Sequence, residues 1–272
     1  MARRVTLVAG SGSLVPYIVR AIQQRRDELQ VIDIAGGRTI DGQVVEAGSL
    51  GRADELVAMI RRFSPTHLML AGGVHISDRD RRGLADRAGA GYAQSGGLGD
   101  LGLASMIQHF CRENGYMLVD IFEVAPELIA PAGHIAGPPL DAELARVAAY
   151  GLRTARAIGA IDLGQSVVVS ANRPIAAEDA GGTDVLLGRV ASLREAGLVG
   201  GRLRLVLAKS RKPDQPAFLD LPSIGADTIG NAAAAGISAI AVEAGGSLLL
   251  DRMAIEHEAE RHGVSVAGLS HE

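Results

Sequence analysis

The chain has 272 residues, 47% of them hydrophobic and 21% charged, which allows a sizeable core in one large domain or two ordinary ones and argues against disorder. Its 27 Lys and Arg against 31 Asp and Glu give a net charge of -4, without the basic excess of a dedicated nucleic-acid binder. A single cysteine, Cys111, excludes an intramolecular disulfide and a four-cysteine zinc site and points to a reducing compartment; aromatics at 3% with no Trp disfavour a base- or sugar-stacking platform.

The first apolar run, Val5–Ala9, is too short for the core of a secretion signal and leads into Gly10-Ser11-Gly12 rather than a cleavage site. No stretch reaches the roughly 18–20 uninterrupted apolar residues of a membrane-crossing helix. Apolar runs predict strands at 5–9, 30–35, 67–71 and 117–121. Amphipathic segments predict helices over about 16–28, 52–63, 79–88 and 101–114. Strand alternating with helix implies crossover connections, hence a largely parallel sheet covered on both faces. From Ala125 to Leu140 four prolines and two glycines interrupt any periodicity, which marks the best domain boundary. We therefore expect a Rossmann-like α/β domain over 1–130 and a mixed α/β domain over 131–272. In the second, an Ala-rich helix (141–158) precedes a strand at 166–170 and a helix from 183. A strand at 203–208, a helix at 227–235, strands at 239–242 and 248–250, a helix from 253 and a strand at 264–267 complete it.

The loop Gly10-Ser11-Gly12-Ser13-Leu14 lies between the first strand and the first helix. Glycines there admit a phosphate close to the backbone, and the helix start offers unpaired N–H donors. Asp33 follows about 20 residues on, where a dinucleotide fold places its ribose-binding acid, but Val15 stands where the third glycine of that motif belongs. A phosphate-facing loop and a tight turn are both open readings, and a nicotinamide site is the weaker one. The third strand exits into Ala71-Gly72-Gly73-Val74-His75, with His75 a minor candidate for proton transfer. The histidines form no paired metal-ligand spacing, so zinc is not expected.

Three polar clusters interrupt the second half: Asp162-Leu163-Gly164-Gln165, Gly181-Gly182-Thr183-Asp184, and Lys209-Ser210-Arg211-Lys212 followed by Asp220-Leu221-Pro222-Ser223. Thr183 suits a helix cap and Asp184 a first-turn acid. Cations at the end of a strand suit an anionic ligand. A carboxylate such as Asp220 near phosphates needs a bridging cation or an attacking water to orient, or else it merely caps a turn.

Taken in order, these clusters resemble the LpxI family of UDP-2,3-diacylglucosamine diphosphatases, nearly end to end. The matching segments are Ala9-Gly10-x-Gly12-x-Leu14, Ala71-Gly72-x-Val74, Leu128-x-Ala-Pro131-x-Gly133, Asp162-Leu163-Gly164-Gln165 and Gly182-Thr183-Asp184. They continue with Ala208-Lys209, Lys212-Pro213-x-Gln215, Asp220-Leu221-Pro222-x-Ile224-Gly225, Glu243-Ala244-Gly245 and Asp251-Arg252. The resemblance implies two α/β domains with the ligand cleft between them. It also implies Mg2+-dependent hydrolysis of a UDP-linked acylated sugar to UMP and the lipid monosaccharide 1-phosphate, in lipid A synthesis. Such a protein is cytoplasmic and peripheral to the inner membrane, touching that surface transiently; a homodimer stays open, and no nucleic-acid partner is expected. The resemblance makes Asp220 the catalytic residue, and Gly10, Ser11, Gly12, Gly72, Gln165, Thr183, Asp184 and Lys209 substrate contacts, with the metal ligands unassigned. The chain departs from the family pattern at Gly181, Pro216, Phe218, His75-Ile76-Ser77, Leu101 and Gly246, where the family commonly carries charged groups or proline. The alternative is a paralogue that binds a nucleotide-sugar or acylated lipid without cleaving it.

Overall fold

The structure is a computed structural model that describes residues 2–40, 42–73, 100–171, 173–213, 216, 218–219 and 221–270, with residues 100 and 101 described by backbone alone. The chain divides into two compact units, the first formed by residues 1–126 with 215–220 and the second by 127–214 with 221–272. Both are α/β. The helix expected over 79–88 lies outside the described residues.

Unit 1 contains β1 (Arg4–Ala9), β2 (Glu28–Asp33), β3 (Val45–Ala47), β4 (His67–Ala71) and β5 (Met117–Leu118), with α1 (Leu14–Gln24), α2 (Ala53–Phe63) and α3 (Asp100–Asn114). The strands pair in parallel in the order β3-β2-β1-β4-β5. That order matches a dinucleotide-fold sheet, and it reverses direction beside β1. Side chains alternate along each strand. Val8, Ile32 and Leu68 accordingly share one face and pack with Leu56 and Ile60 of α2 and Cys111 of α3. α1 buries Leu14, Val15, Ile18, Val19 and Ile22, a helical spacing, and touches β2 and β4. Burial in this apolar setting pushes the Cys111 thiol up to about 11.

The strand expected to reach Ile121 ends at Leu118 because Asp120 starts a helical turn, α4 (Ile121–Val124). Its carboxylate accepts from the Glu123 amide at 2.9 Å.

Unit 2 is built on a six-stranded mixed sheet of order β6-β13-β11-β9-β7-β8. Its strands are β6 (Gly133–Ala136), β7 (Ser166–Val169), β8 (Pro174–Ala177), β9 (Leu205–Lys209), β11 (Ile237–Glu243) and β13 (Ser265–Leu269). β9, β11 and β13 run parallel, while β6 and β7 join this core antiparallel and β8 is antiparallel to β7. β10 (Ser223–Ile224) and β12 (Leu248–Leu249) form a separate parallel pair. On one face α5 (Ala142–Ala160) places Leu144, Val147, Ala148, Leu152 and Ala155 against Val167, Val169, Val206, Ala208, Ala239 and Ala241. The alternate residues Val168, Leu205, Leu207, Ile240 and Val242 face α6 (Gly182–Glu195), α7 (Ala226–Ala234) and α8 (Arg252–His262). Apolar residues on both faces explain why these strands read as continuous runs.

Asp141 caps α5, accepting from the amides of Glu143 at 3.1 Å and Leu144 at 2.9 Å. The Leu144 amide and then Arg204, 2.5 Å from the other oxygen, hold its carboxyl below the usual range. β6 comes from the Pro/Gly stretch. Its antiparallel pairing with β13 involves only Gly133, His134 and Ala136, too short a segment to show periodicity.

His67 begins β4, with its Nδ1 2.7 Å from Thr66 Oγ1, and burial followed by the nearby Arg3 charge lowers its pKa. The folded state therefore resists the proton that the unfolded state takes up near pH 6.5. Stability contributed by neutral His67 is complete above that pH and declines as pH falls toward the depressed folded value. We predict that His67→Gln flattens the pH dependence of stability below pH 6.5 relative to wild type, measured as urea midpoints from pH 7.5 to 5. Parallel curves for the two proteins would refute this assignment.

Candidate functional site

The expected residues fall into two groups, one in each unit. In unit 1 the loops after β1 and β4 are stitched together. The Gly10 amide donates to the Ala71 carbonyl at 2.8 Å, Ser11 N to Gly73 O at 2.7 Å, and Gly73 N to Ser11 O at 2.9 Å. The Ser11 hydroxyl also donates to Gly73 O, at 3.0 Å. Two positions require glycine for this approach. A Cβ on Gly10 would lie 2.4 Å from Gly73 O, and one on Gly72, at φ +88, would lie 2.4 Å from Ser11 O. The backbone donors of Gly10 and Ser11 are thus engaged within the protein.

Arg38 braces the same loop. Its Nη2 donates to Gly10 O at 2.7 Å and Gly12 O at 3.3 Å. Asp33, 2% exposed, does not offer a free ribose-binding carboxylate. Its oxygens accept from the amides of Ala35 at 3.1 Å and Arg38 at 2.9 Å, and the Arg38 guanidinium lies 3.9 Å away. His75 lies outside the described residues.

In unit 2 the antiparallel register of β7 and β9 sets Ser166 opposite Lys209, and Ser210 N donates to Gln165 O at 3.0 Å. β8 delivers Glu178 to the same place through Glu178 N to Ser166 O at 2.9 Å. A tight turn follows, in which Gly181 N donates to Asp179 Oδ1 at 2.8 Å and Gly182 takes φ +78. It opens α6 with Thr183 in the first turn.

The side chains converge. Lys209, 5% exposed, donates from Nζ to Thr183 Oγ1 at 2.9 Å and to the Ser223 carbonyl at 3.0 Å. Thr183 Oγ1 donates to Glu178 Oε1 at 2.8 Å and lies 3.3 Å from Ser166 Oγ. Glu178 Oε2 accepts from the Gln165 amide at 3.0 Å. Gln165 Oε1 is buried with no hydrogen-bond partner among the described residues, an acceptor open to a ligand or water donor. Beside this cluster Glu243 Oε2 accepts from Ser210 Oγ and from the Arg211 amide, both at 2.8 Å, and fixes the exit of β9.

The structure thus brings Gln165, Thr183 and Lys209 together. Asp184 is exposed and turns to α7 instead, where its Oδ1 accepts from Asn231 Nδ2 at 3.0 Å. Asp220 lies outside the described residues, although Leu221, which follows it, is buried. Two buried carboxylates carry little signal in the sequence: Glu178, in an unremarkable Ala-Ala-Glu-Asp stretch, and Glu243, the acid of the Glu-Ala-Gly segment. Their signal was available only as acids directly after apolar runs.

A resident magnesium ion needs oxygen ligands, commonly one or two carboxylates completed by water and phosphate. Among the described residues no three His, Cys, Asp or Glu side chains cluster, and both Glu178 oxygens already accept from protein donors. The described residues alone do not fit such a site. Among them no helix is long and apolar enough to cross a membrane.

The loop stitching in unit 1 generates a stability prediction. Gly10→Ala forces a methyl into the Gly73 carbonyl and should destabilise the unit by about 1–3 kcal/mol. At pH 8 the labelling of buried Cys111 by a thiol reagent should then be faster than in wild type, since the thiol reacts only on opening. Unchanged labelling and an unchanged unfolding midpoint would show that the loops part freely.

Comparison with known proteins bears on the second unit most directly. Residues 131–267, about half of the chain, match the LpxI C-terminal domain. UDP-2,3-diacylglucosamine pyrophosphatase LpxI from Caulobacter vibrioides is 38% identical over 173 residues, which cover 63% of this chain and 61% of that protein. Among solved structures, a NAD-dependent epimerase/dehydratase from Methylobacillus flagellatus is similar at a TM-score of 0.29 and 14% identity, covering 74% of this chain and 63% of that one. Thermus thermophilus UDP-glucose 4-epimerase in complex with NAD is similar at 0.34 and 16%, covering 98% and 90%. Likenesses this weak carry no argument about fold or chemistry. The domain match, with the Gln165, Thr183 and Lys209 motifs inside it, places the chain in the LpxI family.

Proposed function

We propose that this protein hydrolyses the diphosphate of UDP-2,3-diacylglucosamine, releasing UMP and the lipid monosaccharide 1-phosphate in lipid A synthesis. Family membership and the Caulobacter vibrioides relative support the substrate. The observation that carries the reading in this chain is the Lys209 ammonium, buried at the end of β9 and held by Thr183 Oγ1 and the Ser223 carbonyl. A cation fixed in a low-dielectric setting suits phosphate oxygens better than one waving in water.

Asp220 precedes Ser223 by three residues in the same Asp-Leu-Pro-Ser segment. On this proposal it orients the attacking water or accepts its proton, the role that separates turnover from binding. Water adds to the phosphorus nearer the sugar, the phosphoanhydride bond breaks, and UMP leaves. On this proposal Lys209, Thr183 and Gln165 bind the substrate. A magnesium requirement is part of the proposal and rests on the family. So does a place at the cytoplasmic face of the inner membrane, where an acylated sugar would be met.

Asp220→Ala should lower UMP release at least about 100-fold, with substrate affinity and melting temperature unchanged. EDTA should stop the wild-type reaction and Mg2+ restore it. Hydrolysis in 18O-water should place the label in the sugar phosphate rather than in UMP. Undiminished turnover by the Asp220→Ala protein would end this assignment, and binding without product by wild type would favour a non-cleaving paralogue.

A further inference from the structure

Glu178 carries no role in the reading above, yet its place in the hydrogen-bond chain is specific. It is 7% exposed and lies just past the end of β8, where pairing with β7 directs it toward the start of α6. An ionised carboxylate only accepts hydrogen bonds, and a lysine ammonium only donates them. Thr183 stands between the two, 2.8 Å from Glu178 Oε1 and 2.9 Å from Lys209 Nζ. Its single hydroxyl proton therefore points to Glu178, and its lone pair is turned to Lys209. The other carboxylate oxygen holds the amide of Gln165, whose side-chain oxygen is a buried acceptor with no partner among the described residues. One carboxylate thus orients a hydrogen-bonding hydroxyl, through it a cation, and separately the backbone of Gln165.

Packing also keeps Glu178 in place. A Cβ on Gly164 would lie 2.6 Å from the Glu178 carbonyl oxygen, so the chain before β7 passes tightly over this residue. With both oxygens engaged, the carboxylate has few alternative rotamers to adopt.

We infer that Glu178 is the positioning residue of the Lys209 site: through Thr183 it fixes the direction in which the ammonium meets an anionic phosphate group of the ligand. This deepens the proposed function and rests on it for the identity of that ligand. Glu178 touches no reacting atom; its effect passes through Thr183 and Lys209.

The test compares wild type with Glu178→Gln, Thr183→Val, Thr183→Ser and the Glu178→Gln/Thr183→Val double variant. Steady-state UMP release, corrected for folded fraction by melting curves, gives kcat and KM, and calorimetry gives the Kd for UMP. Glu178→Gln and Thr183→Val should each lower kcat per folded molecule at least tenfold. The double variant should fall no more than about twofold below the weaker single variant, because both act through one cation. Thr183→Ser, which keeps the hydroxyl, should retain a third or more of the activity. Kd for UMP should rise in the same order.

Full kcat in folded Glu178→Gln, multiplicative losses in the double variant, or losses confined to the folded fraction would overturn the inference and leave Glu178 a structural residue. If wild type releases no UMP, the hydrolase reading fails, and the pattern of UMP affinities decides Glu178 by the same criteria. A wild type that neither cleaves the substrate nor binds UMP overturns both.

Discussion

Burying an ammonium at the end of β9 requires that its surroundings supply oxygens. Lys209 is 5% exposed, and a cation so enclosed is tolerated only when hydrogen-bonded. The structure meets that demand from segments distant in sequence. Thr183 comes from the first turn of α6, and the Ser223 carbonyl from β10. Each has to arrive in register, which constrains the β7–β9 pairing, the turn before α6 and the course of Leu221-Pro222-Ser223. An apolar residue at 209 would lift the demand that Thr183 and the Ser223 carbonyl place oxygens there.

Unit 1 organises its loops differently. There backbone meets backbone: Gly10, Ser11, Ala71 and Gly73 exchange hydrogen bonds across the ends of β1 and β4, and Arg38 closes the arrangement by donating to two loop carbonyls. Absent side chains permit this approach, so the glycines there serve the joining of two strands before they serve a ligand. The second unit uses long side chains for the same end, with Glu178 and Glu243 each holding an amide and a hydroxyl near the exit of β9.

These differences explain what could be read in the sequence. The strands of the cores announce themselves because both faces are covered, so Val5–Ala9 and Leu205–Lys209 stand out as apolar runs. The glycine loops and the Gly-Thr-Asp helix start are local signals, and Lys209 is visible as a cation closing an apolar strand. Glu178 was not visible, because its partners lie on β7 and α6 and depend on antiparallel pairing that Pro174–Ala177 does not advertise. Asp33 shows the opposite failure. Its spacing from the glycine loop suits ribose binding, but a sequence cannot show that the amides of Ala35 and Arg38 already occupy its oxygens. β6 was hidden in a stretch whose prolines and glycines dominate its pattern.

The choice of a carboxylate at 178 has a directional consequence. A hydroxyl between two groups can hand its proton either way unless one neighbour refuses it. With Lys209 unable to accept, the Thr183 proton goes to Glu178 Oε1 at 2.8 Å, nearer than Ser166 Oγ at 3.3 Å, and the chain of bonds reads Lys209 to Thr183 to Glu178. A neutral amide at 178 would present a donor as well as an acceptor and would let that order invert or break. Such degeneracy costs little in overall stability, since hydrogen bonds near neutral groups are individually modest. It would cost direction. Preorganised dipoles act on developing charge only if they do not have to turn when the charge appears, so an acid at this position is explained by the orientation it imposes on its neighbours rather than by the stability it adds.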